Sequence, residues 1–86
     1  MDQSVVEKQI KEEIIKVTKR KIETKEINSN TDLWKDLEMD SIQIVQLMLE
    51  LEKRFNIIFE DEDLEDDVII NYGKLSHIII NKVAMN

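Results

Sequence analysis

Between Asp40 and Phe55 the chain reads DSIQIVQLMLELEKRF, and its apolar residues fall on two faces of the one helix that this spacing predicts. Leu47, Leu51 and Phe55, with Ile44 and Met48 beside them, form a stripe suited to a core. Ile42, Val45 and Leu49 form a second line at i, i+3 and i+7, which is more apolar surface than one interface requires. The rest of the chain must therefore supply a layer that covers the first face. The start of the helix is well marked: Asp40 is a good N-cap, and Gln43, three positions on, can return a bond to its amide.

The covering layer is legible on both sides of this stretch. Residues 4–19 are expected to be a helix, with Ser4 and Glu7 as a capping box and Val6, Ile10, Ile14 and Val17 as the buried stripe. Glu7 with Lys11 and Glu12 with Lys16 are expected surface pairs. A last helix follows Asn71, another good cap, with Tyr72, Leu75, Ile79 and Val83 at helical spacing and Lys82 in the final turn. From about Glu23 to Met39 the periodicity stops, and Asn28, Ser29, Asn30, Thr31 and Asp32 predict a long loop. Ile27, Leu33, Trp34 and Leu37 are its expected anchors in the core. Asn56 to Phe59 and Val68 to Ile70 could each pass for a short strand. Between them the acidic residues Asp61 to Asp66 suit only a short helix, with Leu64 pointing inward. Three longer helices, one short one and a long loop between the first two predict an all-α fold, a small four-helix bundle in one domain spanning residues 1–86.

Charge narrows the function. The net charge is −7, but residues 1–35 are nearly balanced, with eight bases and seven acids, whereas EDEDLEDD at 60–67 holds seven acids and no base. That field disfavours nucleic acid and anionic membrane surfaces and steers basic partner surfaces inward. No apolar run reaches the length of a membrane span, and MDQSVVEKQIKEE has no signal-peptide pattern, so a cytoplasmic monomer is expected. With no cysteine there is no thiolate metal site, disulfide or cysteine nucleophile. The acidic run lacks EF-hand spacing, because Asp66 stands where the glycine of that loop belongs, and no metal site is expected. Catalysis has poor material too: His77 is the one histidine, its neighbour Ser76 points in a different direction on a helix, and no glycine near Ser41 permits a nucleophile turn.

Ser41 remains. In a first turn a serine is usually a cap, but Asp40 already fills that role, and Ile42 is apolar where the first turn is normally exposed. A helix N-terminus also offers free amide donors and the positive end of the dipole, which favour an attached phosphate.

At Asp40-Ser41-Ile42 the chain resembles the acyl and peptidyl carrier protein family, whose signature is of the Asp-Ser-Leu type. The resemblance includes Asp36-Leu37 before the motif, Leu47, Leu51 and Phe55 after it, the acidic short-helix region, and Asn71-Tyr72-Gly73-Lys74-Leu75 at the start of the last helix. It implies no enzyme but a four-helix carrier, with a 4′-phosphopantetheine arm derived from coenzyme A on Ser41 and with Asp40 as its motif neighbour. The thiol of the arm would hold an acyl or aminoacyl group as a thioester. Implied partners are a phosphopantetheinyl transferase, a loading ligase and downstream synthase or transferase enzymes, meeting Ile42, Val45, Gln46, Leu49 and Glu52. An unmodified acidic helical interaction module is the alternative. Glu38 stands where a glycine is common in the family, so a different loop path is expected there. Gln43 and Gln46 stand where acids are common, and Lys53 and Arg54 add positive charge. Those four residues point to a dedicated pathway, aminoacyl or specialised-metabolite assembly, ahead of fatty-acid synthesis.

Overall fold

The computed structural model describes residues 2–65 and 69–85, and among them are three α-helices: α1 (Gln3–Val17), α2 (Ser41–Phe55) and α3 (Tyr72–Met85). Two 3₁₀ turns, Thr24–Glu26 and Asp61–Leu64, interrupt the connections. The short helix expected over Asp61 to Asp66 is thus a 3₁₀ turn as far as Leu64, and Asp66 lies outside the described residues. Asn56 to Phe59 forms no strand; the one bridge among the described residues is the isolated pairing of Asp32 with Asn71. The second strand reading falls on Val68, outside the described residues, and on Ile69 and Ile70, which are not extended in a sheet.

Helix α1 packs against both α2 and α3. Its cap is Asp2, whose carboxylate accepts the Ser4 amide at 3.0 Å, so the cap lies two residues earlier than the Ser4 and Glu7 box suggests. Val6, Ile10 and Ile14 are buried as expected and Val17 is half-buried. Leu47, Leu51 and Phe55 of α2 and Tyr72, Leu75 and Ile79 of α3 complete the centre. Asn71 caps α3, its side-chain oxygen accepting the Lys74 amide at 2.9 Å. Gly73 follows because the chain passes close by: a Cβ there would lie 2.6 Å from the Ser29 carbonyl oxygen.

Backbone bonds fasten the segment between α1 and α2 to the segment before α3. The Leu33 amide donates to the Ile70 carbonyl at 2.7 Å, and the Tyr72 amide to the Thr31 carbonyl at 3.0 Å. Ile27, Leu33 and Leu37 are buried anchors, joined by Met39, but Trp34 is 51% exposed. The Asp32 carboxylate accepts the amides of Trp34 and Lys35, which winds this stretch into a tight turn and points alternate side chains outward.

The expected i, i+4 surface pairs on α1 are replaced by contacts between helices and by one i, i+3 pair within α1. Glu12 and Glu13 both meet Arg54 of α2, and Lys16 bonds Glu13 at 3.2 Å. The Tyr72 hydroxyl donates to Glu7 at 3.3 Å, while the Lys11 ammonium lies 5.5 Å from the Tyr72 ring centroid. Long side chains on facing helices reach one another, and these tertiary partners displace the i, i+4 pairs within α1.

Candidate functional site

Ser41 is the first residue of α2 and is exposed. Asp40 before it is the cap: its carboxylate accepts the Gln43 amide at 2.8 Å, and the Gln43 side-chain oxygen accepts the Asp40 amide at 3.0 Å. The Ser41 hydroxyl is therefore not consumed by capping. The first turn of a helix leaves amides without partners inside the helix, and the dipole adds partial positive charge there. An anion held at this helix start would meet those donors.

The approach to Ser41 is rigidly built. The Met39 amide donates to the Leu33 carbonyl at 3.1 Å, and the Thr18 hydroxyl at the end of α1 donates to the Leu37 carbonyl at 3.0 Å. Between them Glu38 has φ 53°, in the left-handed region where glycine is at least cost. Glu38 thus holds a backbone conformation that glycine adopts most readily. Gln43 uses its remaining amide nitrogen to donate to the Val17 carbonyl at 3.2 Å, tying the first turn of α2 to the last turn of α1.

Along α2 the second apolar line is exposed: Ile42 is 70%, Val45 58% and Leu49 52% accessible. Gln46 is exposed beside it. Glu52 is half-buried, and one of its oxygens accepts the Phe59 amide at 2.9 Å, so it also holds the chain that leaves α2. Two grooves flank the line. One, of about 340 Å³, is lined by Ile44, Val45, Met48, Leu49, Phe59, Leu64 and Ile69, with Glu52 at its edge. Leu64 is accordingly half-exposed in a groove wall and not the inward contact that its place in the acidic run suggested. The second groove, of about 430 Å³, lies between α1 and α2.

Two of the four residues thought to make this helix unlike its relatives do not face a partner. Gln43 is buried in the cap and seam, and Arg54 is turned onto Glu12 and Glu13. Gln46 and Lys53 do face outward. Glu13 was missed by sequence reading, although it sits on the apolar spacing of α1 between Ile10 and Val17. Burial alone would raise its pKa, but the hydrogen bonds and charges of Arg54 and Lys16 outweigh burial and hold the carboxyl below its ordinary value.

His77 is exposed on α3, with Asn81 as its side-chain neighbour at 3.2 Å, while the Ser76 hydroxyl donates to the Gly73 carbonyl. Among the described residues no three His, Cys, Asp or Glu are grouped to hold a metal ion, and no helix is long and apolar enough to cross a membrane.

The model of the family described as "Phosphopantetheine attachment site" matches residues 8–71, a span that holds Ser41 and the whole of α2. This chain belongs to the acyl carrier protein family. It is 42% identical to the acyl carrier protein of Buchnera aphidicola over 60 residues, covering 70% of this chain and 73% of that protein. It is 34% identical to the acyl carrier protein of Helicobacter pylori over 64 residues, covering 73% of this chain and 80% of that one. The solved acyl carrier protein of Enterococcus faecalis superposes with a TM-score of 0.76 at 26% identity, covering 95% of this chain and 99% of that one. As an acyl carrier protein the chain is a carrier and not an enzyme, and its prosthetic group is a covalently attached 4′-phosphopantetheine.

Proposed function

We propose that Ser41 bears the arm and that the chain presents an acyl or aminoacyl thioester to biosynthetic enzymes. The observation that carries this is the exposed Ser41 hydroxyl at the first position of α2, relieved of capping by Asp40. When bound, the arm supplies the thiol on which the cargo is held. The chain itself, with no cysteine, offers no thiol of its own to capture that cargo by exchange.

The protein's part is to hold and to present. Asp40 and Gln43 fix the first turn of α2, the unpaired first-turn amides and the helix dipole favour the anionic phosphodiester, and the exposed line of Ile42, Val45 and Leu49 offers apolar contact beside it. The groove bounded by Met48, Phe59 and Ile69 is of a size that suits the apolar part of a small cargo. Partners in this reading are a phosphopantetheinyl transferase, a loading ligase and downstream synthase or transferase enzymes, served by one carrier domain acting as a cytoplasmic monomer. A dedicated pathway is the finer reading ahead of fatty-acid synthesis, and Gln46 and Lys53 are the outward-facing residues that support it.

Intact mass after incubation with coenzyme A and a broad-specificity phosphopantetheinyl transferase tests the assignment. The chain should gain one phosphopantetheine and Ser41→Ala none. A wild-type chain that gains no mass would favour the unmodified interaction module, and a Ser41→Ala chain that still gains it would move the arm elsewhere. Equal turnover of the modified protein and the native carrier by purified fatty-acid synthase enzymes would remove the separate pathway.

A further inference from the structure

The groove that suits the apolar part of a cargo is lined on one side by Ile44, Val45, Met48 and Leu49 of α2, and beyond the helix by Phe59 and Leu64. Those last two residues are held in different ways. Phe59 is buried, and its amide donates to the Glu52 carboxylate of α2. Leu64 ends the turn Asp61–Leu64, in which no residue is buried, and is itself 40% exposed. Burial in the core therefore does not fix where Leu64 stands.

A polar tie takes its place. The Lys82 ammonium of α3 meets the Asp63 carboxylate at 2.9 Å, and only 21% and 17% of the two side chains are exposed. The same Asp63 oxygen accepts the Glu60 amide at 2.8 Å, while the Asp63 amide donates to the Glu60 carbonyl at 2.9 Å. One carboxylate oxygen thus shapes the turn and fastens it to α3. Sheltered in this way, the pair is screened less than an ion pair open to solvent and holds its geometry more firmly. Neither Lys82 nor Asp63 lines the groove, yet Leu64, which does, follows Asp63 directly in the chain.

We propose that the Lys82–Asp63 pair is a clasp that keeps Leu64 in place as the outer wall of the cargo groove, so that two residues outside the groove decide how well an apolar cargo is covered. Both are positioning residues, acting through Leu64. This rests on the carrier reading above and deepens it by naming what governs the cover. Each methylene taken out of water favours the covered form roughly fourfold, so a displaced wall matters for a cargo of several carbons and hardly at all for a single methyl.

Chains loaded from acetyl- or octanoyl-coenzyme A by a broad-specificity phosphopantetheinyl transferase test the idea, with cleavage of each thioester by hydroxylamine timed. On the wild-type chain the octanoyl thioester should be cleaved more slowly than the acetyl one. Lys82→Met should speed octanoyl cleavage about fourfold, the equivalent of one methylene uncovered, and leave the acetyl rate where it was. Asp63→Asn should act in the same direction, since its side chain can still accept the Glu60 amide but carries no charge. Lys82→Arg, which keeps the charge, should retain most of the protection. Thermal melts of the loaded chains check that each variant folds. A merely structural role would lower the melting temperature alike with either cargo and leave the ratio of the two rates untouched. An unchanged ratio in folded variants, or an unprotected octanoyl thioester on the wild-type chain, would overturn the clasp and leave the carrier reading standing. A wild-type chain that gains no mass from either donor would overturn the carrier reading and the clasp with it, and intact mass shows that before any rate is measured.

Discussion

Glu38 shows how a single residue can hold a backbone conformation that does not suit its type. Its φ of 53° places a Cβ where an L residue meets its own carbonyl, at a cost of roughly 1–2 kcal/mol. A glycine would relieve that strain but would lose about 0.5–1 kcal/mol through the freedom of the unfolded chain. Glu38→Gly should therefore stabilise the fold by about 0.5–1 kcal/mol, read as a higher urea midpoint with an unchanged slope. A lower midpoint would show that the Glu38 side chain contributes contacts that outweigh the strain. Asn56, also left-handed at φ 54°, closes α2 with a residue type that tolerates the conformation, and no such gain is expected from replacing it.

At the scale of elements, α1 is joined to its neighbours by two polar contacts that respond to opposite ends of the pH range. Glu13, with a side chain only 4% exposed, bonds Arg54 of α2. Its folded pKa is lowered, so the unfolded chain takes up a proton first as pH falls; this stability is complete above the ordinary carboxylate pKa and is lost in acid as pH falls through the folded value. Asp63, bonded to Lys82 at 2.9 Å, is shifted the same way and adds to the same loss. Tyr72 of α3 is the reverse case. Burial first, then the Glu7 carboxylate, raise its pKa, so the folded state keeps its proton longer and stability falls as pH rises past the ordinary tyrosine value. Arg54→Met should cost roughly 2 kcal/mol, below the 3–5 kcal/mol of a fully buried pair because the guanidinium is a third exposed, and should flatten the acid limb. Urea titrations at several pH values measure both; an unchanged acid limb would remove Glu13 from this role.

These same elements show what could be read in advance. Helix α2, its Asp40 cap and the exposed line of Ile42, Val45 and Leu49 were legible because a capping box and 3.6-residue spacing are local signals. Asn56 to Phe59 stayed open between strand and loop because it is too short for periodicity to separate the two. Trp34 was misplaced because size suggests burial, whereas the turn fixed by Asp32 decides where it points. Gln43 and Glu13 were hidden for a shared reason. Their roles depend on a carbonyl and a guanidinium supplied by another helix, and a partner distant in sequence leaves no local pattern.

Across the whole molecule, folding compresses a net charge of −7 from an unfolded radius of gyration of roughly 29 Å, on general chain scaling, to 11.7 Å. The work against self-repulsion is substantial at neutral pH and fades as the chain approaches its pI of about 4.6. The Glu13 contact runs the other way, since its carboxyl stays charged below the ordinary value. Stability should therefore climb as pH drops from about 8 toward 5 and fall only beyond that, in keeping with the usual range of maxima between ~5 and 8. Salt separates the two contributions. At 0.1 M the Debye length is about 10 Å, so added sodium chloride screens the spread-out surface charge but barely reaches a contact buried between helices. Melting temperature at pH 7.5 should rise by a few degrees between low salt and half-molar salt, while the acid limb shifts little. If salt instead lowered the melting temperature at pH 7.5, exposed ion pairs such as Lys25 with Glu23 would outweigh the net repulsion, and the charge asymmetry of the chain would matter to its partners but not to its fold.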